Sequence, residues 1–323
     1  MQMTYLEAIA DALRVEMRRD ERVFMIGEDI GTYGGAFKLT KGFLDEFGPS
    51  RIIDAPISEA AIIGASIGAA LNGMRPVAEM QFMDFVTNGF NQIVTVAGTT
   101  AYRWAIPVPM VVRGPSGGGV GANPFHSRNS EAWFVHATGI KVVCPAFPDD
   151  AKGLMMASIR DNDPVVFYEH KGLYRKIKGD VPEGEYIVPL GKARVVRQGS
   201  DVSVICYGSA VHMALAAAEA VAAEGINVEV VDIRTLVPFD EETVLASVRK
   251  TGRAVVAHEA VLTGGFGGEI AARIADKAFS YLDAPVKRVA AFDAPTPFAP
   301  TLEQAVLPNS DIIANTIRAT CSF

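Results

Sequence analysis

Short apolar strands alternate with helices along almost the whole chain, and that rhythm leaves few folds open. Val23–Ile26, Val77–Met80, Val108–Arg113, Lys141–Cys144 and Val165–Glu169 are brief runs of strand-forming residues. Helical spacing fills the intervals. Thr4–Arg19 carries Leu6, Ile9, Leu13 and Met17 on one stripe, and Lys41–Phe47, Phe85–Ala101 and Asp149–Ile159 also read as helices. Strands separated by crossover helices pair in parallel, in a sheet covered on both faces. The rhythm resumes at Val202–Tyr207, Val228–Ile233, Ala254–His258 and Val286–Ala290, with helices at Val211–Ala223, Glu241–Lys250 and Gly268–Phe279. The reading is therefore α/β, with two parallel-sheet domains. After Lys171 the chain turns polar through KIKGDVPEGEY, although Tyr186–Leu190 is apolar enough to lie against something. The expected division is a first domain over 1–180, a linker over 181–200 and a second domain over 201–323.

Within the first domain, RIIDAPISEAAIIGASIG stands apart. Pro56 keeps the chain extended, and Ser58 is the natural N-cap of the helix that follows. From Ala60 to Leu71 that helix has no polar face, so it reads as buried. Glu59 at its head is then a carboxylate entering an apolar element, which is costly unless something satisfies it. Either it caps the helix and answers the dipole, or it is a functional acid.

Composition narrows the function. A net charge of -7 with no Lys/Arg cluster argues against nucleic acid. Three scattered cysteines fit neither a disulfide framework nor a zinc motif and point to a reducing compartment. No apolar run reaches membrane-span length, and the N-terminus lacks the pattern of a signal peptide. The expectation is a soluble cytoplasmic protein, or one of the mitochondrial matrix had a transit peptide been removed.

The glycine-rich stretch GPSGGGVGANPFH has neither the Gly-Lys-Ser/Thr ending of a P-loop nor a G-x-G-x-x-G spacing, and TGGFGG misses that spacing too. A mobile surface loop is the ordinary explanation. His126 at its end is poorly placed for core packing and well placed to reach a substrate. The other histidines show no ligand spacing. Glu28 and Asp29 read as a solvated strand-end turn, and Gln81, Phe82 and Phe85 as ordinary residues following a strand.

The segments RIIDAPISEAAIIGASIGAALNGMRPVAEMQFMDF, RGPSGGGVGANPFHSRNSEAWFVH, DAKGLMMASIRDNDPVVFYEH and EVVDIRTLVPFDEETVLASVRKTGR resemble the beta subunit of the decarboxylating first component of 2-oxo-acid dehydrogenase complexes. The resemblance covers essentially the whole chain. It implies a thiamine diphosphate-binding domain of the pyrimidine type followed by a transketolase C-terminal-like domain. It also implies an α2β2 heterotetramer with a beta–beta contact. The beta chain would hold the aminopyrimidine half of thiamine diphosphate, and the alpha chain the diphosphate and Mg²⁺. The family's diphosphate signature, Gly-Asp-Gly followed by Asn-Asn, is not present here.

By the same resemblance Glu59 bonds the pyrimidine ring nitrogen and so makes the neighbouring amino group a base. Phe85 packs on the ring, with Ile57 and Gln81 beside it. His126 lies near the reacting carbon or serves transfer to lipoyl. Some relatives carry Tyr at the position of Phe85, and Arg128 stands where Gln is usual. Backbone carbonyls of Met110, Ser158, Asp161 and Asp163 match a K⁺ site, with Asp163 in place of a more usual Asn. The implied activity is decarboxylation of a 2-oxo acid, pyruvate or branched-chain, and reductive acylation of the lipoyl group of an acyltransferase core. An acetoin dehydrogenase subunit, a transketolase-like transferase and a non-catalytic docking subunit are the rival readings.

Overall fold

The structure is a computed structural model that describes residues 1–323. The chain divides into two compact units, residues 1–116 with 133–190, and residues 117–132 with 191–323.

In the first unit the strands lie in the order Lys141–Val143, Val165–His170, Val111–Ser116, Arg75–Glu79, Val23–Gly27, Ile52–Asp54, every neighbouring pair parallel. Helices Tyr5–Arg19 and Pro148–Arg160 cover it with a shared core that includes Ile9, Leu13, Met17, Leu154 and Met155. Thr4 opens the first helix with a capping box closed by Glu7. From Val23–Gly27 the chain passes to Ile52–Asp54 on one side, then returns to Arg75–Glu79 on the other. The winding direction therefore reverses at the carboxyl end of Val23–Gly27. Open α/β sheets bind ligands at such a switch point, because the following loops diverge there and leave a crevice.

Three local expectations change. Residues 85–101 do not form one helix. The stretch is 3₁₀ over Met83–Gly89, π over Gln92–Ala97 and α over Gly98–Trp104. Gly89 lies so close to Ile63 that a Cβ there would approach its side chain to 2.8 Å, so this segment packs tightly on the Glu59–Leu71 helix. The Glu59–Leu71 helix buries Ile62, Ile63, Ser66, Ile67 and Ala70, yet Ala61, Ala65 and Leu71 are exposed, so in the single chain only one face is covered. Ser58 does not cap that helix, because its hydroxyl donates to the Pro56 carbonyl instead. The apolar end of the polar stretch does find a surface. Tyr186 donates to the Asp149 carbonyl at 2.6 Å, and Val188 and Tyr186 close over Gly153.

The second unit holds a five-stranded sheet, Lys287–Ala291, Ala254–Val261, Val202–Cys206, Val228–Asp232 and Arg194–Arg197. The first four are parallel and the last runs antiparallel at the edge. That edge strand falls where a linker was expected. The Ser310–Cys321 helix, which the sequence reading passed over, packs against the Ser209–Ala222 helix.

Candidate active site

The switch point gathers the residues that matter. Glu28 and Asp29 leave the Val23–Gly27 strand, Gln81 leaves Arg75–Glu79, and Ile57 and Glu59 follow Ile52–Asp54. Gln81 Nε2 donates to Asp29 Oδ2 at 3.2 Å and ties two of these loops together. Asp29 adopts a φ of 57°, the left-handed turn needed to bring its side chain back.

Glu59 sits in the first turn of its helix and is only 6% exposed. Asn88 Nδ2 reaches its Oε2 at 3.2 Å from the 3₁₀ segment Met83–Gly89. Glu28 is equally buried, and its Oε1 has no hydrogen-bond partner. Burial, helped by the Glu59 charge, pushes the Glu28 carboxyl above its usual range, while a hydrogen bond from the Ser58 backbone pulls the other way. Two buried acids thus share one crevice with few donors between them. Expecting Glu28 to be solvated was wrong. The signal available in the sequence was its place one residue past a fully apolar strand in a parallel sheet.

Phe85 is half-buried and meets Phe82 edge-on, ring centroids 6.2 Å apart. Phe82 in turn meets Phe37 at 5.7 Å, and Phe37 meets Tyr174 at 5.1 Å, so the ring at the crevice is backed by a column of aromatics. Ile57 is 85% exposed, an apolar side chain standing free beside a buried acid.

Beneath the crevice lies a charge cluster that sequence reasoning missed. Arg113 is fully buried and ion-paired with Glu79 and Glu169, and Tyr174 donates to Glu169 Oε2 at 2.7 Å. Against the cost of burial, Glu169 and Glu79 keep the guanidinium charged. The Met80 amide donates to the Arg113 carbonyl at 2.8 Å, which carries the ladder between these two strands up to the point from which Gln81 departs.

The four positions matched to a K⁺ site lie on the first unit, around the far ends of its strands. Met110 O accepts from Val165 N, Ser158 O from Asp161 N and Asp161 O from Arg75 Nη1. Lys141 pairs with the carboxylates of Asp161 and Asp163. Each of those three carbonyls keeps a second lone pair.

His126 belongs to the second unit, on the glycine-rich segment 117–132. A turn closes locally around it. The Phe125 amide donates to Asn123 Oδ1 at 2.9 Å and the His126 amide to the Asn123 carbonyl at 3.4 Å. No group of three or more His, Cys, Asp or Glu side chains anywhere in the chain is arranged to hold a metal ion. No helix is long and apolar enough to cross a membrane.

Comparison with known proteins accords with this architecture. Residues 1–176 match the pyrimidine-binding domain of transketolase, and residues 191–313 the transketolase C-terminal domain. The 2-oxoisovalerate dehydrogenase subunit beta of Bacillus subtilis is 46% identical over 326 residues, 99% of this chain and 99% of that protein. The pyruvate dehydrogenase E1 component subunit beta of the same organism is also 46% identical, over 100% of this chain and 99% of that protein. Its counterpart in Staphylococcus epidermidis is 44% identical over 100% and 99%. Among solved structures, a split-gene transketolase described as an inactive beta4 tetramer aligns with a TM-score of 0.78 over 99% of this chain and 98% of that one, at 22% identity, which speaks to the fold. The chain belongs to the family of beta subunits of thiamine diphosphate-dependent 2-oxo-acid dehydrogenases.

Proposed function

We propose that this chain, with an alpha subunit, decarboxylates a 2-oxo acid on thiamine diphosphate and passes the acyl group to the lipoyl group of an acyltransferase core. Thiamine diphosphate, when bound, supplies the carbon nucleophile and the electron sink. The observation that carries the reading is Glu59. It is a buried carboxylate with one amide donor, set at a switch point beside a second acid whose Oε1 is unpaired. Such a group has room for a further hydrogen-bond partner, and the ring nitrogen of an aminopyrimidine, which carries an N–H in its protonated and imino forms, would supply one. Glu59 would hold that proton, Phe85 would offer its ring face, and Gln81 and Ile57 would border the pocket. His126 would serve acyl transfer from the glycine-rich loop.

The chain's own surface supports the need for a partner. Ile57, Ala61, Ala65 and Leu71 leave apolar area uncovered around Glu59, and an acid meant to work in a dry site is better served once that area is closed. The alpha subunit would do this and bring the diphosphate and Mg²⁺ sites, in an α2β2 assembly. A K⁺ ion would take the remaining lone pairs of the carbonyls at Met110, Ser158, Asp161 and Asp163, in a structural role. Three free cysteines suit a reducing compartment, here the cytoplasm. Pyruvate and branched-chain 2-oxo acids are the substrates to test first, since relatives named for each are equally similar.

The test is calorimetry with thiamine diphosphate and Mg²⁺, using this chain alone and co-expressed with its alpha subunit, followed by turnover of Glu59→Gln. Binding should require both chains, and the variant should assemble yet lose about 100-fold or more in turnover with pyruvate or 2-oxoisovalerate. Near-normal turnover by Glu59→Gln would refute the assignment.

A further inference from the structure

The glycine-rich segment looks from its sequence like a loop built to cradle an anion. In the structure the anions are already present, and they are side chains of the same unit. Gly119 and Gly121 hold positive φ values of 77° and 69°, and their amides donate to the two oxygens of Glu303 at 2.9 and 3.0 Å. The Gly118 amide donates to Glu259 Oε1 at 2.7 Å. That same oxygen accepts from Asn129 Nδ2 at 3.0 Å, and Glu259 Oε2 accepts from Ser209 Oγ at 2.7 Å. Glu131, further along the segment, accepts from the buried Tyr207 hydroxyl at 2.8 Å. Both Glu259 and Glu303 are at least 95% buried. Gly118 is further confined, since a Cβ there would come within 2.9 Å of Leu307.

These contacts bracket His126. The anchors at 118–121 precede it and those at 129 and 131 follow it, while the turn between them closes on Asn123. Charge-assisted bonds to backbone amides are among the stronger hydrogen bonds, and a buried carboxylate stripped of its donors is costly. The loop therefore has one favoured course, fixed by two carboxylates.

We propose that Glu259 and Glu303 are positioning residues for the reaction, holding the glycine-rich loop so that His126 is presented in one place. The proposal rests on His126 serving acyl transfer. It gives the second unit, which carries no reacting group of its own outside that loop, a direct part in the chemistry.

The test uses the co-expressed alpha–beta pair. Glu303→Gln keeps the size of the side chain and one acceptor but turns the other into a donor facing an amide. Ser209→Ala removes one support of Glu259 without touching the loop, and serves as the milder variant if Glu303→Gln folds poorly. Hydrogen–deuterium exchange should show the 117–131 amides exchanging at least tenfold faster in Glu303→Gln, with the 202–206 strand unchanged. Reduction of a lipoyl domain should fall about tenfold in kcat with little change in the KM for pyruvate or 2-oxoisovalerate. Turnover with an artificial electron acceptor, which bypasses lipoyl, should fall less. Unchanged exchange in the loop overturns the proposal, as does faster exchange with normal lipoyl reduction. His126→Ala separates the two readings. If it leaves lipoyl reduction intact, the role of His126 falls and the positioning role with it. If it abolishes lipoyl reduction while a loosened loop does not matter, only the positioning role falls.

Discussion

Glu28 and Glu59 in the first unit, and Glu259 and Glu303 in the second, are the same chemical group at similar burial, yet they are treated in opposite ways. The first pair lies near like charge, with a single side-chain donor for Glu59 and an unpaired oxygen on Glu28. The second pair accepts five hydrogen bonds from backbone amides, Asn129 and Ser209. A carboxylate short of donors keeps room for a ligand that carries one. A carboxylate whose lone pairs are engaged is inert and rigid, and what it can do is hold. Burial alone therefore does not separate a reagent from a strut, whereas the donor count around each oxygen does.

The contrast breaks most sharply at Glu259. Replacing it with Ala leaves the Gly118 amide, Asn129 and Ser209 without their acceptor, and should cost about 4 kcal/mol, read as a drop in the urea midpoint. Should Glu259→Ala unfold at the wild-type midpoint, the struts are not struts. Its neighbour His258 tests the same region by pH. Burial holds that imidazole down to about 4, with Tyr207 stacked on it at 5.8 Å. A histidine whose folded pKa is depressed stabilises the fold above its unfolded pKa, and that stability is lost as pH falls from about 6.5 toward 4. Between pH 7 and pH 4.5 the loss should be about 2 kcal/mol, and should disappear in His258→Gln, with urea midpoints at the two pH values as the check. An identical pH slope in that variant would remove His258 from the account.

Glu28 should behave in the reverse sense. Its folded pKa is raised, so its neutral form is favoured in the fold and stability declines as pH rises through that value. Glu28→Gln should then stabilise the chain by about 1 kcal/mol at pH 8, with the gain vanishing near pH 3, where the unfolded carboxyl is protonated as well. Destabilisation at pH 8 would show that Glu28 is better served than its unpaired oxygen implies. The smallest effect is expected from potassium. Arg75 and Lys141 already meet the carbonyl and carboxylate of Asp161, so exchanging K⁺ for choline should lower stability by no more than about 1 kcal/mol, read as a small drop in the melting temperature. A larger loss would mean that the carbonyls, rather than the two side chains, carry that turn.

Much of the architecture was legible because parallel strands repeat a simple signal. Val23–Gly27, Val165–His170 and Val202–Cys206 are rich in strand-forming residues, buried on both faces and bounded by turn residues, and they form where expected. Residues 83–104 were not legible, because they pack on the Glu59–Leu71 helix, with Gly89 close against Ile63, and a tertiary contact of that kind leaves no mark in local spacing. Glu59 stood out because an acid heading an apolar helix breaks a local rule. Glu28 did not, since a Glu-Asp pair at a strand end obeys every local rule and only the neighbouring loops bury it. Glu259 and Glu303 were equally silent, because the amides that make sense of them belong to glycines more than a hundred residues away, at separations of 141 to 184.

The excursion of residues 117–132 into the second unit has a bearing on how such a polypeptide can be divided or recombined. A fragment beginning at Gly191 would carry Glu259 and Glu303 without the amides that neutralise them, and a graft of that fragment onto a foreign partner would inherit two vacant sockets. The two segments are therefore a single heritable cassette written in two places. Any chimera that exchanges one without the other should be soluble only if the donor glycines and the acceptor acids happen to agree.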